Sequence, residues 1–343
     1  MNHLIRSAAF ALLVAGTPAV AQVKPEKAPS PWMNDFSLAR SRARNEQRDL
    51  VMVLFGPAPD GSEARLEADI LKSPEFVAEA GKTMLLARFD FPRDQSKLSD
   101  VDKQQAAMLL AKYPTRHLPA VWLLDQNVQA YARLAYDGVG AKAFAARLEE
   151  KRKAAVTAAA ALARAATLQG PERAKALAEG LRCLDDDIVA TVHYQEMLAA
   201  IQLDGDGALG IKPEFEAIAM DHALQPTAEQ LAAELGQLVT QKQWEELDAR
   251  IGKEQELHAD GRWAKQLLTY LQGVRKADGD HDLAAALALL TTAHDLAPRS
   301  GLAPAIERRR LEVATAVEVE AEKQRKAEEA RDKGKKKPGK GRG

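Results

Sequence analysis

Residues 118–136 read LPAVWLLDQNVQAYARLAY, and the fold turns on how this stretch is read. Ala120 to Leu124 is an unbroken apolar run of strand length, opened by a proline and closed by Asp125. Ala130 to Tyr136 alternates instead, with Ala132, Leu134 and Tyr136 on one face, the pattern of a strand with one side in water. The Asp125–Gln129 link is too short for a crossover, so these two strands must pair antiparallel as a hairpin. Upstream lie two more buried-strand runs, Leu50-Val51-Met52-Val53-Leu54-Phe55 and Met84-Leu85-Leu86-Ala87-Arg88-Phe89.

Helical spacings fill the gaps. Trp32 to Arg48 carries Phe36, Ala39 and Ala43; Ser62 to Ala80 carries Leu66, Ile70, Leu71, Phe76 and Val77. Asp102 to Tyr113 carries Ala106, Leu109 and Leu110, and Ala141 to Glu150 carries Phe144 and Leu148. A strand–helix–strand crossover requires parallel pairing. Joined to the terminal hairpin, it predicts an α/β domain with a mixed sheet and helices on both faces.

Beyond residue 150 the strand signals stop. Twelve of the seventeen aromatics lie in residues 1–150; Tyr194, Phe215, Trp244, Trp263 and Tyr270 are the rest. Ala154 to Ala166 holds nine alanines, a strongly helical composition. Gly170-Pro171, Asp185 to Asp187, Asp204 to Gly210, Gln225-Pro226, Asp278 to Asp280 and Pro298 punctuate further helical patterns. About eight helices packed as antiparallel hairpins are expected, an all-α domain following the α/β one. Ala286, Leu290, Ala293 and Pro298 fit the second helix of a tetratricopeptide repeat, with Tyr270 and Gly273 roughly placed for the first. Ile306 to Arg331 reads as a solvated charged helix or short coiled coil with a Val313–Val317 ridge. The expected division is a signal peptide at 1–21, an α/β domain at 32–150, a helical domain at 151–304, a charged helix at 305–332 and a basic disordered tail at 333–343.

The composition excludes several chemistries. With 343 residues, 46% apolar and 28% charged, the chain has the makeup of a globular protein of two domains. Its net charge of -1 provides no whole-molecule field for nucleic acid or membrane. Cys183 is the only cysteine, which rules out an intramolecular disulfide, a Cys-x-x-Cys pair and a multi-cysteine metal site. Asp204-Gly205-Asp206-Gly207 fails the calcium-loop spacing, because the sixth and twelfth positions would be Leu209 and Phe215. No cofactor and no metal is expected.

The ends carry addresses. Arg6, the apolar Ala8 to Val14 and the small residues Ala19-Val20-Ala21 have the order of a cleaved secretory signal, which predicts export to a bacterial periplasm or the medium. No later run approaches about 18 apolar residues, so no membrane span is expected after cleavage. Residues 333–343, KGKKKPGKGRG, hold six basic residues and no acid. They read as a solvated tail, or as a tether to an anionic envelope polymer.

Particular residues between Trp32 and Glu150 resemble the secreted thioredoxin-like proteins of bacteria, whose topology the element order also matches. The matching pieces are Trp32-Met33-Asn34-Asp35-Phe36 with Ala39 and Ala43, then Phe55-Gly56, Ser73-Pro74-Glu75-Phe76, Phe89-Asp90-Phe91-Pro92, Lys112-Tyr113 and Leu118-Pro119 before the strand ending at Asp125. The resemblance implies that Pro119 is cis and faces the position of the redox motif, about four residues after Gly56. That position reads Asp60-Gly61-Ser62-Glu63, so both cysteines are absent. Asp60 as N-cap and Glu63 at the third helical position would form a capping box, keeping the helix start while removing the thiols. Leu203 to Lys212 also looks like the helical region appended to some of these proteins.

Asp60, Gly61, Ser62, Glu63, His117 and Pro119 are therefore the candidate partner-facing surface, with no catalytic residue among them. Asp60 and Glu63 as an acid/base pair, and His117 as a ligand, are the alternatives set against capping for the first and a structural role or simple exposure for the second. Cys183 lies in a small-residue stripe with Ala176 and Gly180, which reads as close helix packing. The expected function is a redox-inactive module that binds a protein or peptide. A thiol-dependent oxidoreductase or isomerase working through Cys183 or a partner's cysteines is the first alternative, and an envelope scaffold held by the basic tail the second.

Overall fold

A computed structural model describes residues 30–335, apart from 59, 60, 95, 97, 116, 137, 259 and 260. The stretch read as a signal peptide, Asp60 and most of the basic tail lie outside the described residues. No described helix is long and apolar enough to cross a membrane.

Helix α1, Phe36–Glu46, begins where the Asp35 carboxylate accepts the Leu38 N–H, and ends at Gln47 in a left-handed conformation. Strand β1, Asp49–Phe55, runs through the sheet centre. The expected helix from Ser62 to Ala80 is divided. Helix α2, Ser62–Leu66, runs into a π-helical stretch, Glu67–Leu71, and Ser73-Pro74 starts α3, Pro74–Ala80. Proline at the first position and a serine hydroxyl on the Phe76 N–H make a new helix start there. Strand β2, Met84–Asp90, and helix α4, Asp100–Lys112, follow, then β3, Ala120–Leu124, and β4, Ala130–Leu134.

The sheet order is β2-β1-β3-β4. β1 pairs parallel with β2 and antiparallel with β3, and β3 pairs antiparallel with β4. The mixed sheet expected from the 118–136 hairpin is therefore present, with helices on both faces. One face carries Leu50, Met52, Leu54, Phe89 and Trp122 under Phe36 and Ala39 of α1 and Leu109 of α4. The other carries Val51, Val53, Leu86, Val121 and Leu123 under Leu66, Ile70 and Phe76, and under Phe144 and Leu148 of the helix that follows β4. The free edge of β2 is partly occupied. Met33 exchanges backbone bonds with Leu86 and Arg88, and Arg48 donates to the Met84 carbonyl at 2.8 Å, which leaves less edge for pairing with another chain.

Two sequence expectations fail at this end. β4 does not leave one side in water: Ala130, Tyr131, Ala132 and Leu134 are all buried. Periodicity within a strand carries no record of what a distant segment lays over it. Here helix α7, Asp186–Thr191, packs on β4, and Arg133 pairs with Asp187 at 3.0 Å. The helix expected over Ala141 to Glu150 continues as α5, Ala141–Ala165, straight through the expected boundary at residue 150. Its first turns seat Phe144 and Leu148 under the sheet. Its last turns bury Ala158, Ala161 and Ala165 among the helices.

Eight helices follow α5 among the described residues. They are α6, Gly170–Arg182; α7; α8, Tyr194–Leu203; α9, Ile211–Thr240; α10, Trp244–Leu257; α11, Arg262–Asp278; α12, Leu283–Leu296; and α13, Ala303–Lys335. Gln225-Pro226, read as punctuation, falls inside α9. The proline lacks one N–H, but flanking turns anchored by Ile218 and Leu231 keep the helix going. α11 and α12 pack closely, with a Cβ at Gly273 falling 2.9 Å from Leu290 Cγ. Val313 is buried with Ala277, Ala286 and Leu290, and Val317 packs beside them. The α13 ridge is thus used inside the chain, against α11 and α12, while residues 318–329 are exposed.

Candidate functional site

The candidate surface forms where β1 and β2 end and β3 begins. Beyond Phe55, Gly56 sits so close to the next strand's approach that a Cβ there would lie 2.6 Å from Leu118 Cδ1 and 3.0 Å from the Phe91 carbonyl. The Phe91 N–H donates to the Phe55 carbonyl at 2.7 Å. Three chain segments meet at this glycine, and no larger residue fits without displacing one of them. The Leu118–Pro119 peptide bond is cis, in agreement with what the resemblance implies.

Gly61 is left-handed at φ 69° and is itself the residue preceding α2. Nothing lies within 4 Å of a Cβ placed there, so glycine is needed for the backbone turn rather than for space. This corrects the expected capping box. Ser62 is the first helical residue and Glu63 the second, and the N-cap position is taken by Gly61, which has no side chain to cap with. The chain turns at the one residue that tolerates positive φ, and helix begins after it. Asp60 lies outside the described residues. Glu63 is half-buried, and its Oε2 is enclosed with no hydrogen-bond partner. No hydrogen bond or ion pair joins it to His117 among the described residues.

His117 projects outward, 79% exposed, with Nε2 3.9 Å from Oε2 of Glu229 on α9. At that distance and exposure the contact is weak. Gly56 and Leu118 therefore bring the chain just after β1 and the cis-proline loop together, while His117 points toward Glu229 of α9.

A cationic neighbour escaped the sequence reading. Arg88, near the end of β2, lies 4.0 Å over the Phe55 ring and pairs with Glu67 at 3.1 Å and Asp90 at 2.8 Å. Burial pushes the Glu67 carboxyl upward, but the Arg88 bonds and charge outweigh it and hold the group below its ordinary value. The signal was an arginine inside an otherwise apolar strand run, which had no partner until the π-helical stretch placed Glu67 beside it.

Cys183 lies far along the chain from this loop, at the end of α6. Its Sγ is 3.4 Å from the Glu179 carbonyl, and it packs against the helical part of the core. Nearby, a Cβ at Gly180 would lie 2.9 Å from Leu162 Cγ and 3.0 Å from the Ala158 carbonyl, so α5 and α6 are in close approach. Asp204, in the stretch rejected as a calcium loop, is buried and accepts the N–H groups of Leu209, Ile211 and Lys212 at the start of α9. Burial opposes its charge, but the three donors hold its pKa below the ordinary value. Among the described residues no group of three or more His, Cys, Asp and Glu side chains is placed to hold a metal ion.

The described candidate residues include the half-buried Glu63 carboxylate and the exposed His117 imidazole. No family model matches the chain, and no curated protein matches it. Among solved structures, a chain titled "DsbH Oxidoreductase" aligns at 19% identity over 40% of this chain and 95% of that one, with a TM-score of 0.34.

Proposed function

We propose that this chain is an exported, thioredoxin-like protein of the bacterial envelope that binds a protein or peptide and performs no thiol chemistry. The binding face is the loop pair around Gly61, Ser62, Glu63, His117 and Pro119. The observation that carries the reading is the convergence at Gly56: the cis-proline loop, through Leu118, is held against the chain just after β1, Gly61-Ser62-Glu63 follows a few residues on at the opening of α2, and the lone thiol, Cys183, lies at the end of α6. Sulfur exchange needs a thiolate at such a helix start, and this one has a glycine, a serine and a carboxylate. The helical region then serves as a scaffold that covers β4 and extends the surface away from the sheet.

The test is site-specific photo-crosslinking in the native envelope from position Ser62, with Val101 on the outer side of α4 as the control position. A discrete adduct from Ser62 that is absent from Val101, and lost on Glu63→Arg, is expected. Equal labelling from both positions overturns the assignment of the face.

A further inference from the structure

Helix α9 belongs to two cores. Ile211, Phe215 and Ile218 in its first half join the core that runs from the sheet through α5, α6 and α8. Leu231 and Leu235 in its second half join a separate core with Leu247, Ile251, Trp263 and Leu267. Between them, residues 219–230 include no buried side chain. Pro226 sits in that stretch and leaves the His222 carbonyl without its helical N–H. The extensive contacts follow the same division. α6, α7 and α8 pack on α9, α10 and α11 pack on α9, α12 packs on α11, and α13 packs on α12. Among the described residues no extensive helix contact links the two groups except through α9.

The link that does cross the seam is ionic. Arg262 reaches Asp186 at 3.0 Å and Asp221 at 2.6 Å. Arg299 reaches Asp186 at 3.3 Å, Glu214 at 3.1 Å and the Leu181 carbonyl at 3.3 Å, and its own carbonyl accepts the Asp186 N–H at 3.1 Å. All three acids lie on the sheet side of Pro226, and both arginines lie beyond it. A polar seam of this kind, joined by one helix with a proline at its weak point, permits relative motion that a shared apolar core would resist.

We propose that the part of the chain beyond Pro226 is an arm, hinged at residues 219–230 of α9 and latched by Arg262 and Arg299 against Asp186, Glu214 and Asp221. Glu229 travels with the arm, so opening withdraws it from His117 and widens the approach to the cis-proline loop. The motion stands on the packing alone; only its link to a ligand rests on the function proposed above.

Pulsed electron–electron distance measurements test it, with spin labels at Val101→Cys and Leu257→Cys, both well exposed, in a Cys183→Ser background. Two distances are expected, the longer one gaining population in Glu214→Gln and in Arg299→Ala and losing it in Pro226→Ala. Glu214→Gln keeps the test valid should Arg299→Ala unfold, because it removes a charge without stranding a buried one. A single distance unchanged in the folded latch variants overturns the hinge. Peptide binding measured on the same samples separates failure of the hinge from failure of the proposed function.

Discussion

The sheet and the first helical layer are both well sealed, but with different materials. Around the sheet, large rings do the filling: Phe36 meets Phe89 and Tyr113 edge-on, and Phe76 lies against Trp32 and Phe144, each pair about 6 Å apart. In α5 and α6 most of the buried residues are small, with Ala158, Ala161, Ala165, Ala174, Ala176 and Ala178 beside Leu177 and Leu181, and Gly180 lets the two backbones meet. An aromatic side chain removes far more apolar surface from water than an alanine does. The alanine-rich layer must therefore rely on closeness of approach. Its junction with the distal helices relies on ion pairs, and stability in the two regions should respond to different injuries.

The largest effect is expected in the sheet. Phe144→Ala should cost about 4 kcal/mol, since it empties a fully buried site between α3 and the strands. It should lower the urea midpoint more than any substitution in the helical layer. Next comes the ionic seam. Arg262→Ala strands the buried Asp186 beside Arg299 alone, and unpairs Asp221, for a loss of about 3 kcal/mol. A loss under about 1 kcal/mol in chemical denaturation would place these pairs with ordinary surface ones.

Gly180→Ala sharpens the contrast from the opposite direction. One added methyl must push on Leu162 and the Ala158 carbonyl, so destabilisation of about 1 to 2 kcal/mol is expected, although alanine is the better helix former. A gain in stability would show that α5 and α6 have slack between them. The smallest effect is read as pH dependence. The folded-state pKa of Asp204 is lowered, so its contribution is present above the ordinary aspartate value and is lost as pH falls through the folded one. Asp204→Asn should be less stable than wild type at neutral pH, and the gap should close in acid. A gap constant with pH would mean that shape rather than charge does the capping.

The same contrast governs how much the sequence disclosed. Strands made of apolar runs were legible nearly to the residue: Ala120–Leu124 was read with those limits, and β1 and β2 differ from the reading by one residue each. Those runs record burial in their own composition. What depends on a remote partner was not legible. Nothing within Ala130 to Tyr136 records that α7 covers it, and nothing near Arg262 marks Asp186 as its partner 76 positions away. Pro226 was misread because a proline's local rule was outweighed by packing on either side of it. At the candidate site, the cis Leu118–Pro119 bond was implied by the resemblance, whereas a structural role and simple exposure were both left open for His117. The left-handed Gly61, the enclosed Glu63 Oε2 and the Arg88–Glu67 pair were not foreseen, because each is settled by backbone geometry that no spacing encodes.

The function we propose for this chain is recognition without thiol chemistry. The most direct measurement is dithiothreitol-driven reduction of insulin by the purified chain, run beside Cys183→Ser and a protein-free blank. Both proteins should proceed at the blank rate. Turnover clearly above the blank, disappearing in Cys183→Ser, would contradict the account and return the molecule to thiol catalysis.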